Sequence, residues 1–319
     1  MDEEKENKTI TINGVDIAPG QNRSVQLNIA RLPTGTLIDI PVHVFNGKEV
    51  GPTVLIQAGL HGDEINGVET LRRMLQDNCF YIEKGAVIVV PIVNIFGFIH
   101  FSRDVPDGKD VNRSFPGKKT GSLASRIAYT YSDQVLPQAN FAIDLHTGGS
   151  QRHNHPQARY TASDPDSQML AKAFNAPFNF ASKLITGSFR KTTFKMGIPT
   201  MVYEAGESMR FDENSIAIGI KGVENVLQFL GMVSKRQKVK QESSIHLEST
   251  RWIRAARAGM FIPQIANGQA VEKGETLGLV TDTFAKKNKK IMAPFDGYII
   301  CINHQAVVNQ GDALFHIGR

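Results

Sequence analysis

Val54-Leu55-Ile56-Gln57-Ala58-Gly59-Leu60-His61-Gly62-Asp63-Glu64 decides how the chain is built. Val54-Leu55-Ile56 is short and continuously apolar, which suits a central strand covered on both faces. Gly59 and Gly62 mark a loop. Ile65, Val68, Leu71 and Leu75 then recur at helical spacing on an amphipathic helix ending near Asn78. His61 and Glu64 therefore stand three positions apart where a strand ends and a helix begins. An imidazole nitrogen and a carboxylate at that spacing can converge on one cation, and mixed N/O ligation suits zinc. The plainer reading is a solvated glycine turn whose His and Glu cap the helix, and Gly59–Glu64 alone leaves both open. A catalytic zinc site needs a third ligand from elsewhere in the chain.

The pattern repeats outward. Ile38, Ile40, Val42 and Val44 alternate with polar positions, as in a half-buried strand, and Pro41 puts that strand near an edge. Val87–Val90 reads as a buried strand delivering a long loop from Asn94 to about Gly121, and Leu123, Ile127, Val135 and Leu136 mark a helix. Phe141–His146 and Pro199–Glu204 read as two more strands. Helices are expected at Asp166–Asn175, capped by Ser163 or Asp164, and from about Asp212 to Met232. Strands alternating with helices predict an α/β fold: a mixed, largely parallel sheet with helices on both faces. From His246 onward short apolar runs are punctuated by glycine with no helix, which predicts a small all-β C-terminal domain. The division is residues 1–240, with a polar tail at 1–9 and N-terminal strands over 10–50, and residues 241–319.

The 319 residues are 41% hydrophobic and 21% charged, enough for a sizeable core. The longest apolar run, Ala86 to Phe101, is interrupted by Pro91, Asn94 and Gly97 and is too short to span a bilayer, so no membrane partner is expected. The N-terminus has no apolar segment of the secretory kind, which makes the cytoplasm the expected compartment. Cys79 and Cys301 fall in different expected domains, so no disulfide is expected. Residues 231–319 carry 13 Lys+Arg against 7 Asp+Glu, whereas the rest is near balance. The excess sits in Lys235–Lys240 and Lys286–Lys290. Neither run is interleaved with stacking aromatics, which argues against nucleic acid and for a solvated linker and a hairpin tip.

In open α/β sheets ligands bind beyond the carboxyl ends of the strands. His61, Glu64, His146 and Glu204 all fall at such ends. His61, Glu64 and His146 make a His₂Glu set, a zinc arrangement that leaves a position open. Glu204, a carboxylate outside that set, is placed to act as general base and acid. Its rival is Glu207, and for Glu64 the rival is Asp63, which could instead cap the helix. His43, His100, His246, His304 and His316 lie in contexts without partners, and His153 and His155 read as part of a solvated loop.

His61-Gly62-Asp63-Glu64, Asp110-Val111-Asn112-Arg113-Ser114-Phe115, Asp144-Leu145-His146 and Glu204-Ala205-Gly206 stand in one order. Together they resemble the succinylglutamate desuccinylase/aspartoacylase family, of the wider zinc carboxypeptidase-like fold, over about residues 30–230. The resemblance implies one zinc ion per chain, held by His61, Glu64 and His146, with Glu204 as general base and acid. It implies Asn112 and Arg113 on the substrate carboxylate, which a guanidinium fork can grip bidentately. It further implies Arg103 as a second cation toward substrate, and Asp110 behind a ligating imidazole.

The tail, Val271–Gly278 and Ala293–Ile299, is similar to the two halves of a biotinyl/lipoyl-like β-sandwich. Its tip, Phe284-Ala285-Lys286-Lys287-Asn288-Lys289, lacks the Met-Lys-Met pattern of a modified lysine. A cap over the active site or a homo-oligomer contact is expected instead of a covalent cofactor. Such a tail goes with the longer, deacylase-like branch of the family. The expectation is a zinc-dependent deacylase cleaving the amide of an N-acylated amino acid or similar small molecule. A zinc carboxypeptidase acting on peptides and a non-catalytic carrier or binding module are the alternatives. For a second substrate carboxylate the candidate cations are Arg190, Lys191 and Lys195.

Overall fold

A computed structural model describes residues 6–234, 243–284 and 286–319. The basic run Lys235–Lys240, the boundary expected at 240/241 and Ala285 of the tip lie outside these residues.

Two short strands, β1 (Ile10–Ile12) and β2 (Val15–Ile17), pair with each other, and β3 (Asn22–Arg31) pairs with β4 (Leu37–Asn46). Next come β5 (Glu49–Gln57), α1 (Ile65–Gln76), β6 (Lys84–Val90), α2 (Ile95–Ile99), a 3-10 turn at Val111–Arg113, α3 (Leu123–Gln134) and β7 (Phe141–Gly148). β8 (Arg152–Tyr160), α4 (Pro165–Phe174), β9 (Phe178–Ala181), α5 (Phe189–Lys195), β10 (Thr200–Glu207) and α6 (Glu213–Phe229) follow. Among the described residues the remainder contains strands only: β11 (Ile245–His246), β12 (Thr250–Arg254), β13 (Gly259–Pro263), β14 (Ala270–Val271), β15 (Thr276–Thr281), β16 (Asn288–Met292), β17 (Gly297–Asn303), β18 (Val307–Val308) and β19 (Ala313–Gly318).

The large sheet runs β12-β19-β17-β8-β10-β7-β5-β6-β4-β3. Its centre, β10-β7-β5-β6, is parallel and its flanks are antiparallel. A second sheet, β16-β15-β13-β18, is antiparallel throughout. The all-β tail is thus not wholly apart: β17 pairs with β8, carrying β19 and β12 onto the main sheet.

The central strands are apolar without alternation because both faces are covered. Leu55, Ile88 and Ala142 pack with Ile127, Ala128 and Tyr131 of α3 on one side. Val54, Ile56, Val87 and Ile143 pack with Leu71, Leu170, Phe174 and Val223 of α1, α4 and α6 on the other. Each buried Val, Leu, Ile or Phe among them contributes about 1.5–3 kcal/mol, well above the roughly 0–1 kcal/mol of an exposed ion pair. The two apolar layers therefore hold the helices in place. Asp164 caps α4 and Asp212 caps α6 through side-chain acceptors on Ser167 and Ser215 N–H.

Two expectations change, for His153 and His155 and for the long loop after β6, while the Pro41 strand does lie near an edge. His153 and His155, read as part of a solvated loop, lie on β8 in the middle of the sheet. The polar side chains of this strand have partners: Gln157 Nε2 donates to Ile300 O at 3.0 Å and Asn154 Nδ2 to Glu204 Oε2 at 2.8 Å. A strand satisfied in this way needs no apolar period. β4 lies one place in from the edge, and Pro41 falls where β3 alone is in register with it. The loop after β6 contains α2 and the 3-10 turn. No disulfide joins Cys79 and Cys301. Among the described residues no helix is long and apolar enough to cross a membrane.

Candidate active site

The loop after β5 and the ends of β7 and β10 meet at one edge of the sheet. β7 and β10 run parallel with His146 opposite Glu204, which sets two of the predicted residues side by side. The His61–Glu64 loop is shaped by close packing. Gly62 lies against α2 so tightly that a Cβ there would stand 1.8 Å from Gly97 C, and its N–H donates to Ser102 O at 3.0 Å. Glu64 occupies the N-cap position of α1 but makes no side-chain cap. Its carboxylate faces the imidazoles instead, and Asp63 Oδ1 is buried with no partner among the described residues, so neither acid is seen to cap the helix.

His61 Nδ1 lies 2.7 Å from Glu64 Oε1, and His146 Nδ1 lies 2.7 Å from Glu64 Oε2. All three residues are buried, and a ligand atom of each lies within 4.8 Å of the others. Thr147 N–H donates to Glu64 Oε2 at 3.0 Å. Behind the imidazoles stand two aspartates. His146 Nε2 is 2.9 Å from Asp144 Oδ2, and His61 Nε2 is 3.4 Å from Asp110 Oδ1, a charge contact longer than an aligned hydrogen bond.

Burial opposes charge on each of these groups, yet the partners prevail. Glu64 is held well below the usual carboxylate range by His61 and His146, despite its burial. His146 is pushed well above the usual imidazole value by Asp144 and Glu64, and His61 is raised by Glu64 and Asp110, each against the cost of burial. The donor set fits zinc: two imidazoles turn Nδ1 toward one buried carboxylate, and Nε2 of each is turned to an aspartate that fixes the tautomer and ring.

Glu204 is fastened at both oxygens. Arg159 Nη1 donates to Oε1 at 3.0 Å and Asn154 Nδ2 to Oε2 at 2.8 Å. Its rival Glu207 is committed elsewhere, 2.7 Å from His304 Nδ1. That contact also corrects the reading of His304 as unpartnered, as do His43 on Ser24 Oγ and His246 on Asn179. His153 pairs with Asp212 at 2.9 Å.

The loop after β6 brings the remaining predicted residues to the same place. Arg103 donates from Nε to Asp110 Oδ2 at 3.0 Å, and its Nη1 lies 3.2 Å from His61 Nδ1 and 3.4 Å from Glu64 Oε1. Asn112 Oδ1 accepts from Phe189 N–H, which leaves the amide nitrogen as a donor. Arg113 Nη1 donates to Asn112 O at 2.7 Å and lies 3.9 Å from Asp110 Oδ2, and with 42% of its side chain exposed the rest of the guanidinium is open to a ligand. Asp110 accepts from Asn112 N–H at 2.7 Å and is held low by His61 and Arg103 despite burial.

His61, Glu64, His146, Glu204, Arg103, Asn112 and Arg113 line one cavity of about 470 Å³, together with Asp144, Arg152, Arg159, Arg190 and Trp252. Of the cations considered for a second carboxylate, Arg190 reaches this wall. Its guanidinium donates to the carbonyls of Tyr160, Ser182 and Lys183, and burial beside Arg159 lowers its pKa to about 10. Lys191 bonds Thr186. Asp144 could have been read from the sequence, since residues two apart on a strand share a face and His146 was already singled out. Asn154 and Arg159 could not, because their role depends on β8 lying beside β10.

The profile of the succinylglutamate desuccinylase/aspartoacylase catalytic domain matches residues 50–230, more than half the chain and all four motifs. The chain belongs to this family. N-α-acetyl-L-2,4-diaminobutyric acid deacetylase of Halomonas elongata is 29% identical over 288 residues, which cover 86% of this chain and 84% of its own. A succinylglutamate desuccinylase/aspartoacylase of Rhodobacter sphaeroides shares the fold, with a TM-score of 0.83 and 26% identity over 93% of this chain and 95% of that one. The apo ectoine utilization protein EutE of Ruegeria pomeroyi gives 0.76 and 27% over 88% and 90%.

Proposed function

We propose that the protein is a zinc-dependent hydrolase that cleaves the amide bond of an N-acylated amino acid or a related small molecule in the cytoplasm. The observation that carries this reading is the convergence of His61, Glu64 and His146 beside Glu204 in a cavity lined with arginines. Family membership and the deacetylase relative support the same reaction class. His61, Glu64 and His146 would hold one ion per chain. When bound, zinc supplies a Lewis acid that polarises the amide carbonyl and acidifies a neighbouring water.

The chain's own residues supply the rest. Arg113 and the Asn112 amide grip the substrate carboxylate, which fixes the scissile amide over the site. Glu204 accepts a proton from the attacking water and delivers it to the leaving amine nitrogen. Asn154 and Arg159 keep its carboxylate in one orientation for both transfers. Arg103 stands beside Glu64 and His61, where its guanidinium stabilises the negative charge that develops on the carbonyl oxygen. Asp110 and Asp144 orient the two imidazoles. Peptide substrates fit less well, because the cavity walls carry five arginines and few apolar side chains.

An assay of the zinc-loaded protein against N-acetyl-, N-succinyl- and N-formyl-amino acids, with dipeptides beside them, tests this. Hydrolysis of at least one N-acyl class over the dipeptides is expected. Cleavage of dipeptides in preference to every N-acyl amino acid would overturn it.

A further inference from the structure

β8 changes partner along one of its edges. Arg152, His153 and Asn154 are in register with Asn303, Ile302 and Cys301 of β17, in the C-terminal tail. Gln157 to Tyr160 are in register with β9 instead. Pro156, which has no N–H to give a neighbour, falls between the two stretches. The tail strand is irregular at the same level, where its pairing with β19 slips between Ile299 and Cys301. A slip of this kind takes one residue out of the ladder and re-aims it, here Ile300.

Gln157, the first paired residue beyond the change, is fully buried. Its Nε2 donates to Ile300 O at 3.0 Å and to His155 O at 3.1 Å. Its Oε1 accepts from Nε and Nη2 of Arg159, each at 3.4 Å. These partners fix which way the amide points, because two carbonyls need its donors and a guanidinium needs its acceptor. A carboxylate of the same length would set oxygen against oxygen, and an apolar side chain would leave buried polar groups unpaired. At 3.4 Å the contacts with Arg159 are long, so Gln157 steers the guanidinium rather than binding it tightly.

Arg159 is thereby held on three sides. Gln157 takes one edge, the ring centroid of Phe180 lies 5.6 Å from the guanidinium carbon, and Nη1 reaches Glu204 Oε1 at 3.0 Å. The strands dictate this grouping. Phe180 is buried on β9 directly across from Arg159, and Gln157 is directly across from Glu204 of β10. Asn154, on the other oxygen of Glu204, is directly across from Cys301 of β17. Both clamps on the Glu204 carboxylate therefore trace back to the tail strand, one by backbone pairing and the other through Gln157.

We propose that Gln157 is a positioning residue for Glu204: it ties the re-aimed carbonyl of Ile300 to Arg159, and so sets the guanidinium that holds the carboxylate. It stands behind the cavity wall and acts only through Arg159. The tail then serves the reaction from within the sheet, by locking β8 in place. This rests on the reading of Glu204 as general base given above.

Kinetics of Gln157→Met, Arg159→Met and the double variant, on an N-acyl amino acid that the unmutated protein hydrolyses, test this beside crystal structures of the unmutated protein and Gln157→Met. Gln157→Met should lower kcat about tenfold, with KM and zinc affinity moved by no more than about twofold. The double variant should be no slower than Arg159→Met, since a residue that acts through Arg159 then has nothing to act through. A merely structural role would lower kcat in both backgrounds alike and weaken zinc with it. In the crystal of Gln157→Met the guanidinium should have left Glu204 Oε1, which it meets at 3.0 Å in the unmutated chain. Should Gln157→Met fail to fold, Gln157→Asn, whose amide stops one methylene short of Arg159, is read in the same way. An unchanged kcat, losses that multiply in the double variant, or an Arg159 still bonded to Glu204 in Gln157→Met would overturn the proposal. Full activity in Glu204→Gln would instead sink the reading of Glu204 as the base, and the crystal structures would still decide whether Gln157 sets Arg159.

Discussion

Asp144 Oδ2 lies 2.9 Å from His146 Nε2, two residues along the same strand, while Gln57 Nε2 holds the other oxygen of the carboxylate at 2.9 Å. The aspartate is itself anchored, so it fixes the imidazole rather than following it. Asp144→Asn keeps the shape but removes the charge that raises His146. Zinc affinity, measured by chelator competition, should fall about 10–100-fold. Unchanged affinity would deny Asp144 this role.

Gly62 has no room for a side chain against Gly97 and Phe98. Gly62→Ala should therefore displace the His61–Glu64 loop and cost about 1–3 kcal/mol of stability, with weakened metal binding. Urea unfolding with zinc and with chelator separates the two effects. A variant as stable as the parent that binds zinc as tightly would show that the loop can relax.

Arg159 and Asn154 hold the two oxygens of Glu204 without lining up as metal donors. Arg159→Met should lower kcat about tenfold or more with a much smaller change in KM, and Arg159→Lys should recover part of it. Glu204→Gln should keep zinc yet lose about 10²–10⁴ in kcat, whereas His146→Ala should lose metal as well. Full activity in Glu204→Gln would assign the base to another residue.

Burial lowers the His316 imidazole to about 3, from 6.5 for a free side chain. The unfolded chain therefore binds the extra proton between these values. The contribution is fully present above pH 6.5 and is lost progressively as pH falls toward 3, at about 1.4 kcal/mol per unit. His316→Phe keeps a ring against Trp252 and removes the proton. Between pH 7 and pH 5, the unmutated chain should lose about 2 kcal/mol more stability than this variant in chemical unfolding. Identical acid limbs would contradict a neutral buried His316.

Much of the fold was legible because the central strands are covered on both faces and so read as unbroken apolar runs. The helices were legible for the complementary reason, with Asp164 and Asp212 marking two of the starts. β8 was hidden, since its partners are polar groups on β10 and β17 that no local pattern announces. The same strand hid the environment of Glu204. His61, Glu64 and His146 could be singled out from spacing and strand ends, and the structure brings all three together with Glu204, Arg103, Asn112 and Arg113 around one cavity. Trp252 reaches the same cavity because β12 and β19 join the main sheet where β17 pairs with β8, a long-range pairing that a linear reading does not contain.

The central claim is tested most directly by stripping the protein with chelator and titrating zinc back while following hydrolysis of an N-acyl amino acid. The account predicts activity that rises linearly and stops at one equivalent per chain, with no recovery in His146→Ala. Activity indifferent to zinc, or equal recovery in His146→Ala, would contradict it.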